Sequence, residues 1–314
     1  MTKEERVCQF YKLSIRKNGN IFPCCLAIGS SYIGNLFEED IIKKIATKNV
    51  ECECTLYKNR PIKENEKPNV QRIHIEFSNE CQAKCICCNQ QKEKMENEDI
   101  HLQKLDELIK NYKPKYITVI GGEVLIQKKS LDWIEKIKNK YPDISFDIVT
   151  NLCVGENTIK RAIKIFDDIT VSILGFSQNT YNRIMGLDFD KTIKNVEYIL
   201  ANSNVKIRPK YLLMPTNMYE IGSFLKWALK LNTQKIYLHN IREFRQCCNL
   251  EDAYWNNTFN QIETELKEIL IQNKDLIISK NRHFISIHDI LAEKTNMNTF
   301  IQEQGFENII KITS

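Results

Sequence analysis

The chain contains no uninterrupted run of 18 apolar residues, so no transmembrane helix is expected. Its first residues, Met1 to Arg6, are polar and charged and lack the apolar core of a signal peptide, which points to a protein that stays in the cytoplasm. A large surplus of one charge is also missing. The 45 Lys and Arg stand against 40 Asp and Glu, and the net +5 is spread along the sequence. That balance makes no demand for nucleic acid or a membrane as partner and reads as a mildly basic, solvated exterior. There is no internal repeat and no low-complexity tract.

The 314 residues correspond to roughly two domains, or to one large α/β domain with an appendage. A hydrophobic content of 42% with 27% charged residues is ordinary for a globular chain and argues against disorder. Cysteine is what the chain has in unusual number, with 12 in all. A reducing cytoplasm disfavours structural disulfides, so the count points to metal. The cysteines are also clumped. Cys8, Cys24, Cys25, Cys52 and Cys54 form one group, and Cys81, Cys85, Cys87 and Cys88 a second, leaving Cys153, Cys247 and Cys248 outside both. Two clumps suggest two metal centres.

Residues 1–58 read as a small Cys-rich module in which only Asp40 to Ala46 has helical periodicity. Residues 59–70, with two prolines and few apolar side chains, read as a linker. From there to residue 240 strands and helices alternate. The β-branched runs are Arg72–Phe77, Tyr116–Ile120, Ser145–Val149, Ile169–Ile173, Lys206–Leu213 and Lys235–Leu238. Between them, apolar residues recur at helical spacing: Leu102, Leu105, Leu108 and Ile109; Leu131, Ile134 and Ile137; Ile159, Ala162, Ile163 and Phe166; Phe189, Ile193, Val196 and Leu200; Ile221, Phe224, Leu225 and Ala228. Such alternation implies parallel strands covered by helices, and six units suit an open, partial (β/α)6 barrel. Residues 241–314 are expected to form a helical extension, with a long helix near Asp252–Leu270.

The first barrel strand runs directly into Ser78-Asn79-Glu80-Cys81-Gln82-Ala83-Lys84-Cys85-Ile86-Cys87-Cys88, a C-x3-C-x2-C pattern at a strand's C-terminal end. In parallel α/β barrels that face carries the chemistry. Three thiolates can hold three irons of a 4Fe–4S cluster and leave the fourth iron open, as catalytic metal sites require. Cys87 adjoins Cys88, so the third ligand has two candidates, of which spacing favours Cys88. A zinc knot or a set of buried thiols is the rival reading, although zinc sites favour paired C-x2-C hooks. The second strand ends in Gly121-Gly122-Glu123-Val124, the third in Thr150-Asn151, and the fourth reads Val171-Ser172-Ile173-Leu174-Gly175 with Arg183 following.

Together these motifs, in this order and at these strand ends, resemble the radical S-adenosylmethionine (SAM) superfamily over about residues 71–240. The resemblance implies that Cys81, Cys85 and Cys88 hold the SAM-binding 4Fe–4S cluster. It implies that Gly121 and Gly122 offer backbone acceptors to the methionine amino group, with Glu123 as counter-charge. Asn151 and Ser172 would bond the ribose or carboxylate, and Arg183 would pair with the carboxylate. The implied activity is reductive cleavage of SAM to a 5′-deoxyadenosyl radical that abstracts hydrogen from a substrate, with electrons from a flavodoxin- or ferredoxin-type donor. Three positions depart from the family's pattern: Val124 stands for proline, Leu174 for aspartate, and Cys87 for an aromatic residue.

The amino-terminal cysteines resemble a SPASM or twitch element, the auxiliary-cluster module of many radical SAM enzymes. The matching residues are Cys8, then Gly19-Asn20-Ile21-Phe22-Pro23-Cys24-Cys25, then Ile33-Gly34-Asn35-Leu36, and finally Cys52-Glu53-Cys54, where C-x2-C is usual. Cys8, Cys24, Cys52 and Cys54 are the implied ligands of an auxiliary 4Fe–4S cluster, with Cys25 in reserve and a zinc ribbon as the rival.

Cys153, Cys247 and Cys248 remain as candidate hydrogen-atom donors to a substrate radical, and an inert thiol is the alternative for each. His239, after the sixth strand, is a further residue at the barrel mouth. By analogy with SPASM-type modules the expected substrate is a ribosomally made peptide, processed by a maturase or epimerase. A sugar or nucleotide-sugar is the alternative, and a non-enzymatic zinc or electron-transfer protein the rival class. A leader-binding winged-helix domain would favour a peptide, and the residues ahead of Cys8 are expected to leave no room for one.

Overall fold

The computed structural model describes residues 12–23, 32–47, 70–88, 95, 97–214, 216–231, 233, 235–240, 277–280 and 283–286. Cys8, Cys24, Cys25, Cys52, Cys54, Cys247, Cys248 and the helix expected near 252–270 lie outside these residues. Two compact units form: Met1–Cys81 with Gln90–Val149 and Lys164–Asp167, and Gln82–Asn89 with Thr150–Ile163 and Asp168–Ser314.

In the first unit the strands β1 (Lys12–Ile15), β2 (Asn20–Phe22) and β3 (Gly34–Asn35) precede α1 (Ile41–Thr47). Then come β4 (Arg72–Glu76), α2 (Glu98–Tyr112), β5 (Tyr116–Ile120), α3 (Lys128–Lys140) and β6 (Ser145–Thr150). The strand order is β3-β2-β1-β4-β5-β6. The pairs β1–β4, β4–β5 and β5–β6 are parallel, whereas β1–β2 and β2–β3 are antiparallel. The described strands of the Cys-rich segment thus add on to the edge of the β4 sheet, with Leu13 beside Ile73 and Ile15 beside Ile75. All four of these side chains are fully buried.

The second unit contains most of α4 (Glu156–Ile165), then β7 (Asp168–Ile173), α5 (Gln178–Met185), α6 (Phe189–Asn202), β8 (Lys206–Leu213), α7 (Ile221–Lys230), β9 (Lys235–Asn240), β10 (Ile277–Lys280) and β11 (His283–Ser286). The order is β7-β8-β9-β10-β11, parallel except for the final β10–β11 pair. The expected α/β architecture with parallel strands and covering helices is therefore present. Of the extension expected to be helical, the described residues are strands: β10 continues the sheet beside β9, where backbone N–H and C=O groups would otherwise stay unpaired.

Local chemistry explains the helices. The predicted α2 stripe is buried, and so is His101 beside it. Ser177 caps α5 by accepting from the Thr180 amide, Gly186 ends that helix at φ 68°, and Asp188 caps α6 by accepting from the Lys191 amide. The α6 face differs from the sequence expectation. Thr192, Val196 and Ile199 are buried, while Leu200 is exposed. The rotation is possible because the Thr192 hydroxyl finds partners inside, the Tyr181 hydroxyl at 3.1 Å and the Asn151 carbonyl at 3.3 Å. Strand β9 runs on to Asn240, which places His239 within it, in register with Leu212. Among the described residues no helix is long and apolar enough to cross a membrane.

Candidate functional site

In the first unit, the chain leaving β4 folds back over the end of β5. The Glu123 amide donates to the Glu80 carbonyl at 2.7 Å, and the Gln127 side-chain amide donates to the same oxygen at 3.3 Å. This approach needs the glycine pair. Gly121 and Gly122 have φ of 92° and 49°. A Cβ on Gly121 would lie 2.6 Å from Glu76 Cγ, and one on Gly122 only 2.2 Å from the Glu80 carbonyl oxygen. Glu123 is fully buried, and one of its carboxylate oxygens accepts from the Leu125 amide to start the 3₁₀ turn Val124–Ile126. Glu76, buried at the end of β4, is paired with Arg16 at 2.9 Å. Cys81 follows on this segment, partly accessible.

In the second unit, the remainder of the cysteine loop docks on the end of α5. The Lys84 amide donates to the Met185 carbonyl at 2.7 Å and the Ile86 amide to the Ile184 carbonyl at 2.9 Å, so the loop satisfies carbonyls that a helix end leaves open. The Cys88 amide closes a turn on the Cys85 carbonyl at 3.0 Å. Gln82, inside the cysteine spacing, reaches the chain after β6: its Nε2 donates to Asn151 Oδ1 at 3.1 Å and to the Cys153 carbonyl at 3.2 Å. Asn151 Oδ1 also accepts from the Cys153 amide at 2.9 Å. Leu152, at φ 57°, carries the chain through this turn, and Asn195 Nδ2 donates to its carbonyl at 2.8 Å. The Cys153 thiol donates to the Asp188 carbonyl at 3.7 Å.

Ser172 is partly accessible on β7 and lies in register with Lys210 of β8. Arg183 is exposed on α5, and its guanidinium donates to the Thr216 carbonyl at 3.1 Å. Asn217, entirely buried, accepts from the Met214 amide at 2.8 Å and donates to the carbonyls of Leu174 at 3.0 Å and Leu212 at 2.8 Å. It thereby ties together the chain ends leaving β7 and β8. Lys210 is desolvated, which lowers its pKa, and the nearby Cys87 partly offsets that shift.

The thiols of the cysteine loop differ in access. Cys87 is buried, Cys81 and Cys85 are partly accessible, and Cys88 is exposed; none of the described cysteines is in a disulfide. Thus the three thiols at C-x3-C-x2-C spacing are the accessible ones. Soft thiolate donors in this number fit an iron–sulfur cluster with one open iron. Among the described residues no three His, Cys, Asp or Glu side chains stand close enough to share one metal ion. A cluster makes a different demand, because each thiolate binds a separate iron.

Sequence reasoning did not single out Gln82, Glu76, Asn217 or Lys210. For Lys210 a signal was present: Lys206, Arg208 and Lys210 alternate with Ile207, Pro209 and Tyr211 within one strand, which puts charge on one face of a parallel sheet.

Residues 75–228 match the family model described as the Radical SAM superfamily. Among curated proteins none matches by sequence. Among solved structures, the chain is similar to Streptococcus suis SuiB bound to S-adenosylmethionine, with 14% identity and a TM-score of 0.52 over 72% of this chain and 53% of that one. It therefore spans about half the length of that SuiB chain. SuiB bound to the precursor peptide SuiA is similar over 93% of this chain and 75% of that one, with 13% identity and a TM-score of 0.51. Native anSMEcpe with bound AdoMet is similar at 14% identity and a TM-score of 0.50, over 66% of this chain and 63% of that one. At these identities the likeness concerns the fold.

Proposed function

We propose that this protein cleaves SAM reductively and abstracts a hydrogen atom from a ribosomally synthesised peptide, with a second, auxiliary cluster in its amino-terminal segment. The observation that carries the reading is the radical SAM match over residues 75–228, which encloses Cys81, Cys85 and Cys88 in the loop directly after β4. Those three thiols would hold the cluster, while Cys87 is buried. Once bound, the cluster and SAM supply a 5′-deoxyadenosyl radical by one-electron reduction.

The chain's own residues prepare the place. Gly121 and Gly122 let backbone approach backbone, and Asn151 anchors Gln82 within the cysteine loop. Ser172 and Arg183 remain the proposed contacts for the ribose and the carboxylate. Cys8, Cys24, Cys52 and Cys54 are the proposed auxiliary ligands. Cys153, held at the Asp188 carbonyl, and Cys247 or Cys248 are proposed hydrogen-atom donors. The peptide substrate is supported by the fold shared with SuiB, whose structure was solved with a precursor peptide. Electrons would come from a flavodoxin- or ferredoxin-type protein.

Anaerobically reconstituted protein with dithionite should convert SAM to 5′-deoxyadenosine. A variant with Cys81, Cys85 and Cys88 all replaced by Ala should not; retained production overturns the assignment. A deuterated precursor peptide should pass deuterium into 5′-deoxyadenosine, and a colourless zinc protein would instead support the non-enzymatic class.

A further inference from the structure

The amino-terminal motifs built around Gly19 and Asn35 lock one turn. Between β1 and β2 the Arg16 amide donates to the Asn20 carbonyl at 2.9 Å and the Gly19 amide to the Arg16 carbonyl at 2.8 Å, with Gly19 at φ 81°. From β3, Asn35 Nδ2 donates to the Asn18 carbonyl and to Asn20 Oδ1, both at 2.9 Å. A Cβ on Gly19 would lie 2.8 Å from Asn35 Oδ1, so Asn35 comes this close only because residue 19 is glycine.

What the turn presents is Arg16. Its guanidinium pairs with one oxygen of Glu76 at 2.9 Å, and Glu76 is 6% exposed at the end of β4. The other oxygen accepts from the Asn79 side-chain amide at 2.9 Å, and Asn79 Oδ1 accepts from Lys17 Nζ at 3.0 Å. Arg72, on the same strand as Glu76, is paired with Asp147 instead. A buried carboxylate whose cation is taken away keeps its full desolvation cost. Glu76 also fills the space that Gly121 leaves open, and Glu80, next to Asn79, is gripped through its carbonyl by the Glu123 amide. Residues 76–80 are thus held by the β1–β2 hairpin on one side and by the end of β5 on the other, and Cys81 follows at once.

We propose that Arg16 is a positioning residue for the cysteine loop: acting through Glu76 and Asn79, it fixes residues 78–81 and with them the place of the Cys81 thiol. The amino-terminal hairpin thereby acts on a ligand of the SAM-binding cluster. Only that consequence for the cluster rests on the proposed function; the hold on the loop follows from the contacts of Arg16, Glu76 and Asn79.

The hold is tested by hydrogen–deuterium exchange of the full chain as purified under anaerobic conditions, read by peptide mass spectrometry. Arg16→Met should speed exchange in peptides covering residues 77–81 and 121–127 by roughly tenfold or more, and leave α2 and α3 as in wild type. Glu76→Gln, which strands no buried charge, should give the same local pattern at smaller amplitude. Arg16→Lys should keep most of the protection, and a loss equal to that of Arg16→Met overturns the proposal. So does a loop that exchanges as in wild type in either Arg16→Met or Glu76→Gln. If Arg16→Met does not fold, Glu76→Gln decides: acceleration confined to the loop supports the proposal, and acceleration spread through α2 and α3 means a structural role and overturns it.

The consequence for the cluster is read on reconstituted protein. At wild-type iron content, Arg16→Met should lower kcat for 5′-deoxyadenosine formation by roughly tenfold and weaken the change that SAM makes in the electron paramagnetic resonance signal of the reduced cluster. Unchanged kcat and signal with a loosened loop would overturn the link to Cys81. Wild-type protein that takes up no cluster would refute the proposed function and leave the exchange result to decide the role of Arg16.

Discussion

Gln82 and Asn151, 69 positions apart in sequence, are joined by a 3.1 Å hydrogen bond that ties the cysteine loop to the chain leaving β6. The acceptor, Asn151 Oδ1, is shared with the Cys153 amide at 2.9 Å. An aspartate at this position keeps the oxygen, and an alanine loses it. Asn151→Ala should cost roughly 1–3 kcal/mol in urea unfolding, and Asn151→Asp clearly less. Equal losses would show that these bonds do not hold the loop.

Backbone contact makes a stronger demand at Gly122, where an added Cβ meets the Glu80 carbonyl oxygen at 2.2 Å and φ is already positive. Gly122→Ala should destabilise by roughly 3 kcal/mol or more. Gly155 is the control: nothing lies within 4 Å of the place an added methyl group would take, and its alanine variant should stay within about 0.5 kcal/mol of wild type.

Burial lowers the pKa of His101 from 6.5 to about 4, and both ring nitrogens are buried beside the ring of Phe37 without hydrogen-bond partners among the described residues. Above pH 6.5 both folded and unfolded chains hold the ring neutral. As pH falls from 6.5 to about 4 the unfolded chain gains a proton that the folded one does not. Stability from this group therefore declines across that window, by roughly 3 kcal/mol in all. The difference in unfolding free energy between His101→Phe and wild type should shift by that amount toward the variant between pH 7 and pH 4; a constant difference would refute it.

Asn217 makes three side-chain hydrogen bonds in a fully buried position. Asn217→Leu strands the Leu174 and Leu212 carbonyls and the Met214 amide, so a loss of roughly 2–5 kcal/mol is expected. Chemical denaturation measures it directly.

Replacing Cys8, Cys24, Cys52 and Cys54 together should lower the iron content of reconstituted protein by about half and leave some SAM cleavage. Unchanged iron would remove the auxiliary cluster from the proposal.

Much of this was open to reading in the linear chain. The six β-branched runs reappear as β4 to β9, because side-chain alternation and apolar spacing are local properties that a strand or helix expresses directly. The α6 face was misread by one position, since an apolar count passes over Thr192, whose hydroxyl is buried with partners that lie elsewhere in the chain. The contribution of β1 to the β4 sheet carried no local signal, because pairing is a relation between distant segments.

The amino-acid sequence alone determined the strand–helix alternation, the C-x3-C-x2-C spacing and the glycine pair, since each is a property of neighbouring residues. Only the tertiary structure decided that Cys87 turns inward while Cys88 stays exposed, that Asn151 serves Gln82, and that Arg208 pairs with Asp168. Those outcomes depend on strand register and loop docking, which bring together residues that no local spacing rule connects.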